Sequence, residues 1–148
     1  MKTQLFEDAN KTHSLFINAS VQEGEGERKF SKLTINLLQR DADDKATQQV
    51  AFFLDYPDAW AWFTLLTDAK YEGELAQYKE FNGKGRGIKL TAKGPLVRFS
   101  LQEKNGEVKS MFFDLPRVKV LEAALVVTAF IKVLYNNQFQ AILKGLTL

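Results

Sequence analysis

The chain has 148 residues, of which 45% are hydrophobic and 26% charged, and this usage excludes a disordered or fibrous protein. It has no cysteine, which excludes a disulfide framework, a zinc-thiolate site and a cysteine nucleophile. Its one histidine, His13, cannot form a two-histidine metal centre within one copy. We therefore expect neither a metal nor a cofactor.

The charge is divided unequally between the two halves of the chain. Residues 1–74 contain 8 basic and 13 acidic side chains, a net charge of −5, whereas residues 75–148 contain 12 and 5, a net charge of +7. The basic excess is concentrated between Lys79 and Lys119. Such an asymmetry is typical of a protein that binds a polyanion.

Alternating polar and apolar residues predict three strands in the first half of the chain, over residues 14–21, 29–39 and 48–54. In the second of these, Leu33, Ile35 and Leu37 share one face, because side chains of a strand alternate between its two sides. The glycine-rich segment 23–27 predicts the turn between the first two strands. A helix is predicted over residues 57–69, since Pro57 suits the first position of a helix.

The second half predicts three further strands, over residues 88–93, 97–102 and 108–113. Asn105-Gly106 favours a type I′ hairpin between the last two. Gly83-Lys84-Gly85-Arg86-Gly87 lacks the spacing of nucleotide-binding glycine motifs and is interpreted as a flexible basic loop. A second helix, over residues 116–135, is apolar on nearly every side.

An internal repeat connects the two halves. An offset of 59 residues aligns Phe53-Leu54-Asp55-Tyr56-Pro57 with Phe112-Phe113-Asp114-Leu115-Pro116. The predicted fold class is therefore α+β, a single domain over residues 1–148 with antiparallel sheets packed on helices. Its two strand-rich repeats, about 13–69 and 71–135, each end in a helix, and an apolar tail follows over 136–148.

The apolar second helix also predicts the oligomeric state and the location. A helix that is hydrophobic all round is buried on several sides, so we expect a homo-oligomer that assembles through it. The segment 120–135 contains Glu122 and Lys132 and is too short for a bilayer span, so no membrane is expected. Residues 1–10 do not read as a secretory signal, and we expect a cytoplasmic protein.

No set of residues predicts catalysis. A serine–histidine–carboxylate triad would have to use His13, and no serine lies in a nucleophile-elbow motif. Asp41, Asp43 and Asp44 lack the spacing of a calcium loop and predict a solvated turn. We expect a protein that is not an enzyme.

The candidate binding residues lie on the basic sheet face and its flanks. Alternation predicts cationic side chains on one face of the second-half strands, namely Lys89, Lys93, Arg98 and Lys109. The glycine segment adds Lys84 and Arg86, and the first half offers a weaker copy with Phe16 and Lys32. Tyr78 and Phe81 precede the glycines and supply aromatic rings beside the cations, a combination that holds single-stranded nucleic acid.

The sequence resembles the Whirly family and its relatives, positive cofactor 4 and the Pur-type proteins, over about residues 13–135. The resemblance lies in Asn82-Gly83-Lys84-Gly85-Arg86-Gly87-Ile88-Lys89-Leu90-Thr91 and in Met111-Phe112-Phe113-Asp114-Leu115-Pro116. It implies single-stranded DNA binding across the sheets and assembly through the helices, and it carries over to Lys84 and the basic loop. The chain departs from the family in lacking its alanine-alanine-leucine and in showing three predicted strands, not four, in the first half.

Two functions from different classes follow from the sequence. The first is largely sequence-independent binding of single-stranded DNA, with RNA as the alternative ligand, in which cations contact phosphates and aromatic rings stack on bases. The second is an oligomeric interaction module or scaffold whose basic face binds an acidic protein. Loss of the aromatic rings weakens binding only in the first.

Overall fold

The computed structural model describes residues 2–20 and 32–146, apart from the side chains of residues 81, 141, 142 and 146. It contains two four-stranded antiparallel sheets, each followed by a helix, which confirms the α+β class. The first sheet has the order β1 (Lys2–Ala9), β2 (His13–Ser20), β3 (Lys32–Arg40) and β4 (Ala46–Asp55), and α1 (Tyr56–Leu66) follows it. The second has the order β5 (Gly73–Phe81), β6 (Lys84–Lys93), β7 (Leu96–Asn105) and β8 (Glu107–Pro116), and α2 (Arg117–Leu146) follows it.

Each sheet has one strand more than the sequence predicted, β1 in the first sheet and β5 in the second. β1 pairs antiparallel with β2, and its register shifts between Gln4 and Phe6. The shift breaks the strict alternation on which strand prediction depends, because a bulge places an extra residue in one strand of the pair. The first sheet thus begins upstream of the predicted repeat boundary at residue 13, and the expectation of three strands was wrong.

The predicted basic loop is a hairpin and a strand. Asn82 and Gly83 have φ angles of 52° and 76°, the left-handed conformation that a type I′ turn requires at both central residues. β6 begins at Lys84, so the interpretation of residues 83–87 as a flexible loop was wrong. The predicted hairpin at 105–106 exists, but only Gly106 has a positive φ there, and the turn is therefore not type I′.

Both helices begin beside the aligned prolines, as predicted. Pro57 is the second residue of α1, and α2 starts at Arg117, directly after Pro116. α2 is 30 residues long and continues to Leu146, so the segment predicted as a tail is helical over residues 136–146. The predicted turn at 23–27 lies outside the described residues.

The core lies between the sheets and the helices. The inward faces of both sheets contribute buried apolar residues to one cluster, among them Leu33, Ile35, Phe99 and Phe113. β4, an edge strand of the first sheet, contacts β6, β7 and β8. α2 buries one stripe, which consists of Val120, Ala123, Ala124, Val127 and Ile131 and follows the helical repeat. In the described part of the chain, neither helix has the length and apolar character needed to cross a membrane.

Candidate nucleic-acid interface

The outer face of the second sheet, on the side away from the core, is polar and basic with two exposed aromatic rings. Alternation and the strand register define its members. Four cations and three carboxylates are among them, and from β5 to β8 the members are Glu74, Ala76, Tyr78, Glu80, Gly85, Gly87, Lys89, Thr91, Lys93, Leu96, Arg98, Ser100, Gln102, Lys104, Val108, Ser110, Phe112, Asp114 and Pro116. We call this surface the basic face.

Tyr78 lies across two glycines of the neighbouring strand. A Cβ atom at Gly85 would overlap the Tyr78 hydroxyl and lie 2.7 Å from its Cζ, and one at Gly87 would lie 3.4 Å from its Cδ2. The ring therefore extends along β6 directly over the backbone, at a distance that only glycine permits. The side chain remains 57% exposed and presents an aromatic surface to solvent.

Phe112 provides a second ring on β8, the opposite edge strand of the sheet. It is 53% exposed, and the Arg98 guanidinium carbon lies 4.1 Å from its ring centroid. Arg98 is also held by Asp114, its cross-strand partner, with Nε and Nη2 donating to the two carboxylate oxygens at 2.8 and 2.9 Å. This hydrogen bonding lowers the pKa of Asp114 and raises that of Arg98. A planar cation thus stands against an exposed ring.

A shallow groove of about 400 Å³ crosses the sheet from Tyr78 on β5 to Ser110 on β8. Small and polar side chains line it, among them Ala76, Gly87, Ser100 and Ser110, with Lys89 at its side. Because these side chains are short, an extended chain can approach the sheet closely while the rings and cations stand beside it.

Lys109 does not belong to the basic face, contrary to the prediction. It pairs with Glu103 on the side of Met111, which is 5% exposed and faces the core. Val108, Ser110 and Phe112 take the outward positions instead. The sequence was ambiguous here because apolar residues lie on both faces of this strand. Phe112 was therefore missed as a site residue. Lys104 was missed too, although the alternation of Arg98, Ser100 and Gln102 leads to it.

Lys84 and Arg86 also face away from the basic face. In β6 they share the side of Ile88, but they lie where the sheet passes the edge of β4. There the Arg86 guanidinium carbon stands 5.0 Å from the Phe53 ring centroid. The two predicted cations therefore belong to a separate cleft between the sheets, which also contains Lys32.

The remaining predicted residues are dispersed. Lys93 is exposed at the end of β6 on the basic face. Phe16 is half-buried on the outer face of the first sheet, opposite Asn36 of β3. Phe81 ends β5, and its side chain is not among those described.

The acidic segment after β3 is a turn. Asp41 accepts backbone hydrogen bonds at 2.9 Å from Asp43 and Lys45, and Asp44 pairs with Arg40 at 3.0 Å. The carboxylates of Asp41 and Asp44 therefore stabilise the turn of the β3–β4 hairpin, as expected for a solvated turn. Among the described residues no group of three or more histidine, aspartate or glutamate side chains is placed to hold a metal ion.

Two sheets of four consecutive antiparallel strands, each closed by a helix, place this protein in the fold class of the Whirly proteins, which confirms the predicted resemblance at the level of the fold. The sequence matches no protein-family model and no curated protein. WHY1 from Arabidopsis thaliana is similar with a TM-score of 0.72 and 10% identity, over 96% of this chain and 93% of that one. WHY3 from the same plant has a TM-score of 0.69 and 10% identity, over 93% and 94%. The plant transcriptional regulator PBF-2 has a TM-score of 0.69 and 10% identity, over 99% and 88%.

Proposed function

We propose that this protein binds single-stranded DNA, largely independently of sequence, through the basic face of its second sheet, and that it has no catalytic activity. The observation that carries the proposal is the pair of exposed rings, Tyr78 and Phe112, on opposite edge strands with cations between them. Bases stack on aromatic rings regardless of their identity, and basic side chains hold the phosphates.

The spacing of the sheet suits an extended strand. Tyr78 and Phe112 stand on β5 and β8, which are three strand spacings or about 14 Å apart across the sheet, and the register displaces them by two residues, about 7 Å, along the strands. Duplex DNA keeps its bases stacked inside, so its faces do not reach these rings. A single strand laid across the groove can place a base on each ring while Lys89 lies beside its backbone.

The similarity to known proteins supports the same function. The Whirly resemblance implies single-stranded DNA binding, and one similar structure is described as a transcriptional regulator. RNA is a possible second ligand, because stacking and phosphate contacts do not distinguish a 2′-hydroxyl. The proposal retains the expected cytoplasmic location.

We further propose that α2 joins copies of the chain into a homo-oligomer. Beyond the stripe that it buries within the chain, α2 exposes large apolar side chains along its length, including Val118, Leu125, Val133 and Phe139. A contiguous apolar surface of this kind is typical of a protein–protein contact. The sheets stay free in such an assembly, because the exposed stripe belongs to the helix.

The proposal is tested with Tyr78→Ala and Phe112→Ala and a labelled oligothymidine. Each change should weaken binding by about 1 to 3 kcal/mol, the contribution of one stacked base. Trp60→Ala is the matched control, because Trp60 is an exposed aromatic residue on α1. If all three variants bind as the unchanged protein does, the rings do not stack bases, and the acidic-partner function is favoured.

A further inference from the structure

The cleft between the sheets contains a second aromatic platform, which the proposed function does not use. Phe53 lies on the outer face of β4, 40% exposed, with Arg86 of β6 stacked on it. Glu103 of β7 holds Arg86 in place, with Nε and Oε2 3.9 Å apart. Lys79 Nζ donates to the Phe53 carbonyl at 2.9 Å and so fixes the edge of β4 against the second sheet.

The floor of this cleft carries two amide side chains that are hydrogen-bonded to each other. Asn36 lies on β3 beside β4 and is 7% exposed, yet it lines the cleft. Gln49 Nε2 donates to Asn36 Oδ1 at 3.2 Å. No other side-chain hydrogen bond joins Asn36 Nδ2 or Gln49 Oε1 to the described residues. A donor and an acceptor therefore stand side by side in the cleft.

The cleft has room for a base. Its volume is about 470 Å³ on the side of Asn36 and Gln49, and a second lobe of about 330 Å³ opens between Phe53 and Lys84. The first lobe includes Thr34, which is buried on the same outward face. The second includes the cations Lys79, Lys84 and Arg86 beside the Phe53 ring.

We propose that the cleft at Phe53 is a second nucleobase site, and that it takes a purine of the bound strand. This inference rests on the proposed function. Asparagine and glutamine amides pair with adenine through N6 and N7, and arginine pairs with guanine through O6 and N7. Both patterns use N7, an acceptor that pyrimidines lack. The basic face binds any base by stacking, whereas the cleft reads one base edge.

The test uses an oligothymidine of fixed length in which one central base is replaced by adenine, guanine, cytosine, 7-deazaadenine or 7-deazaguanine. The unchanged protein should bind the adenine or guanine oligonucleotide at least about fivefold more tightly than oligothymidine, the low end of discrimination by a bidentate base contact. Cytosine should bring no gain, and each 7-deaza base should lose the gain of its parent.

Two variants locate the effect. Phe53→Leu removes the platform and should abolish the gain for both purines. Gln49→Ala changes an exposed side chain and removes half of the amide pair, so it should abolish the adenine gain and leave the guanine gain. The matched control is Phe112→Leu at the equivalent position of the second repeat. It should weaken binding of every oligonucleotide by a similar factor and preserve the ratio between them.

The outcomes separate this inference from the proposed function. If oligothymidine binds and no purine raises the affinity, the base-reading site is refuted and the proposed function stands. The site is also refuted if Phe53→Leu and Phe112→Leu reduce the purine gain equally, or if 7-deaza bases keep it. If oligothymidine does not bind at all, both proposals fall.

Discussion

Phe53 and Phe112 occupy the same position in the two repeats, and each ring stacks with an arginine of the second sheet. Phe53 meets Arg86 at 5.0 Å and Phe112 meets Arg98 at 4.1 Å, measured from guanidinium carbon to ring centroid. The equivalence extends two residues further, to Asp55 and Asp114. Each aspartate pairs across its sheet with a cation, Lys32 at 3.4 Å and Arg98 at 2.8 Å. The repeat thus presents two similar platforms on two sheets.

Asp114→Asn should strengthen binding to oligothymidine. The Arg98 guanidinium donates two hydrogen bonds to the Asp114 carboxylate, which therefore competes with a phosphate for the same donors. Without it, one more cation is available, and the slope of log affinity against log salt should steepen by up to about 0.7 for a single strand. Fluorescence anisotropy over a salt series measures this slope.

Asp43→Asn is the control for this prediction, because it changes the net charge equally in an exposed turn outside both sheet faces. Equal slopes for the two variants would show that only net charge matters, and would contradict a specific role for Arg98.

Gly85→Ala should destabilise the protein and displace Tyr78, because the new Cβ would overlap the ring. The same change in a Tyr78→Ala background should cost much less, since the obstructing ring is gone. A double-mutant cycle by denaturant unfolding measures this difference as a coupling energy. Additive effects would show that the ring does not lie over the strand. Gly87→Ala, where the Cβ meets the ring at 3.4 Å, should show weaker coupling.

Tyr56 should make stability depend on pH in the alkaline range. Its hydroxyl donates to the Ser20 carbonyl at 3.0 Å, and burial raises its pKa from 10.0 to about 12. The folded state holds this proton more tightly than the unfolded state does. The tighter binding of this proton adds to the free energy of unfolding. The added stability is complete below about pH 10 and is lost as the pH rises toward about 12, a change of about 2 to 3 kcal/mol.

Tyr56→Phe removes this ionisation. Unfolding by denaturant at several alkaline pH values should show a flatter stability profile for the variant. Parallel profiles would contradict the assignment of the raised pKa to Tyr56.

Leu125→Glu should dissociate the homo-oligomer and leave the fold intact. Leu125 is 54% exposed on α2, so a charged side chain there stays in water in the isolated chain. In a contact between two α2 helices the same charge would be buried without a partner, which is costly. Analytical ultracentrifugation should show a smaller species for the variant, with unchanged circular dichroism. Thr47→Glu, an equal charge change in the β3–β4 hairpin, should leave the assembly unchanged. A monomeric unchanged protein would contradict assembly through α2.

The repeat and most strands could be predicted from the sequence, because their information is local. Alternation placed Leu33, Ile35 and Leu37 on one face, and the prolines marked the starts of the helices. β1 was missed because its bulge interrupts the alternation near Leu5. β6 was predicted to begin too late, because its glycines suggested a loop although Asn82-Gly83 is a hairpin pattern.

The candidate site could be predicted only in part, because it depends on contacts between distant strands. Lys89 and Arg98 follow from alternation alone. The meeting of Arg86 with Phe53 depends on how the second sheet passes the edge of β4, which no local pattern encodes. Tyr78 was identified as an aromatic beside glycines, but its position over Gly85 emerges only from the pairing of β5 with β6.

The most direct test of the account is fluorescence anisotropy of the unchanged protein with labelled oligothymidine, a duplex and oligouridine, at about 50 and 200 mM salt. The account predicts tight binding of the single DNA strand, weak binding of the duplex and a strong loss of affinity at the higher salt. Equal or tighter binding of the duplex, or no binding of any of the three at micromolar protein, would contradict it.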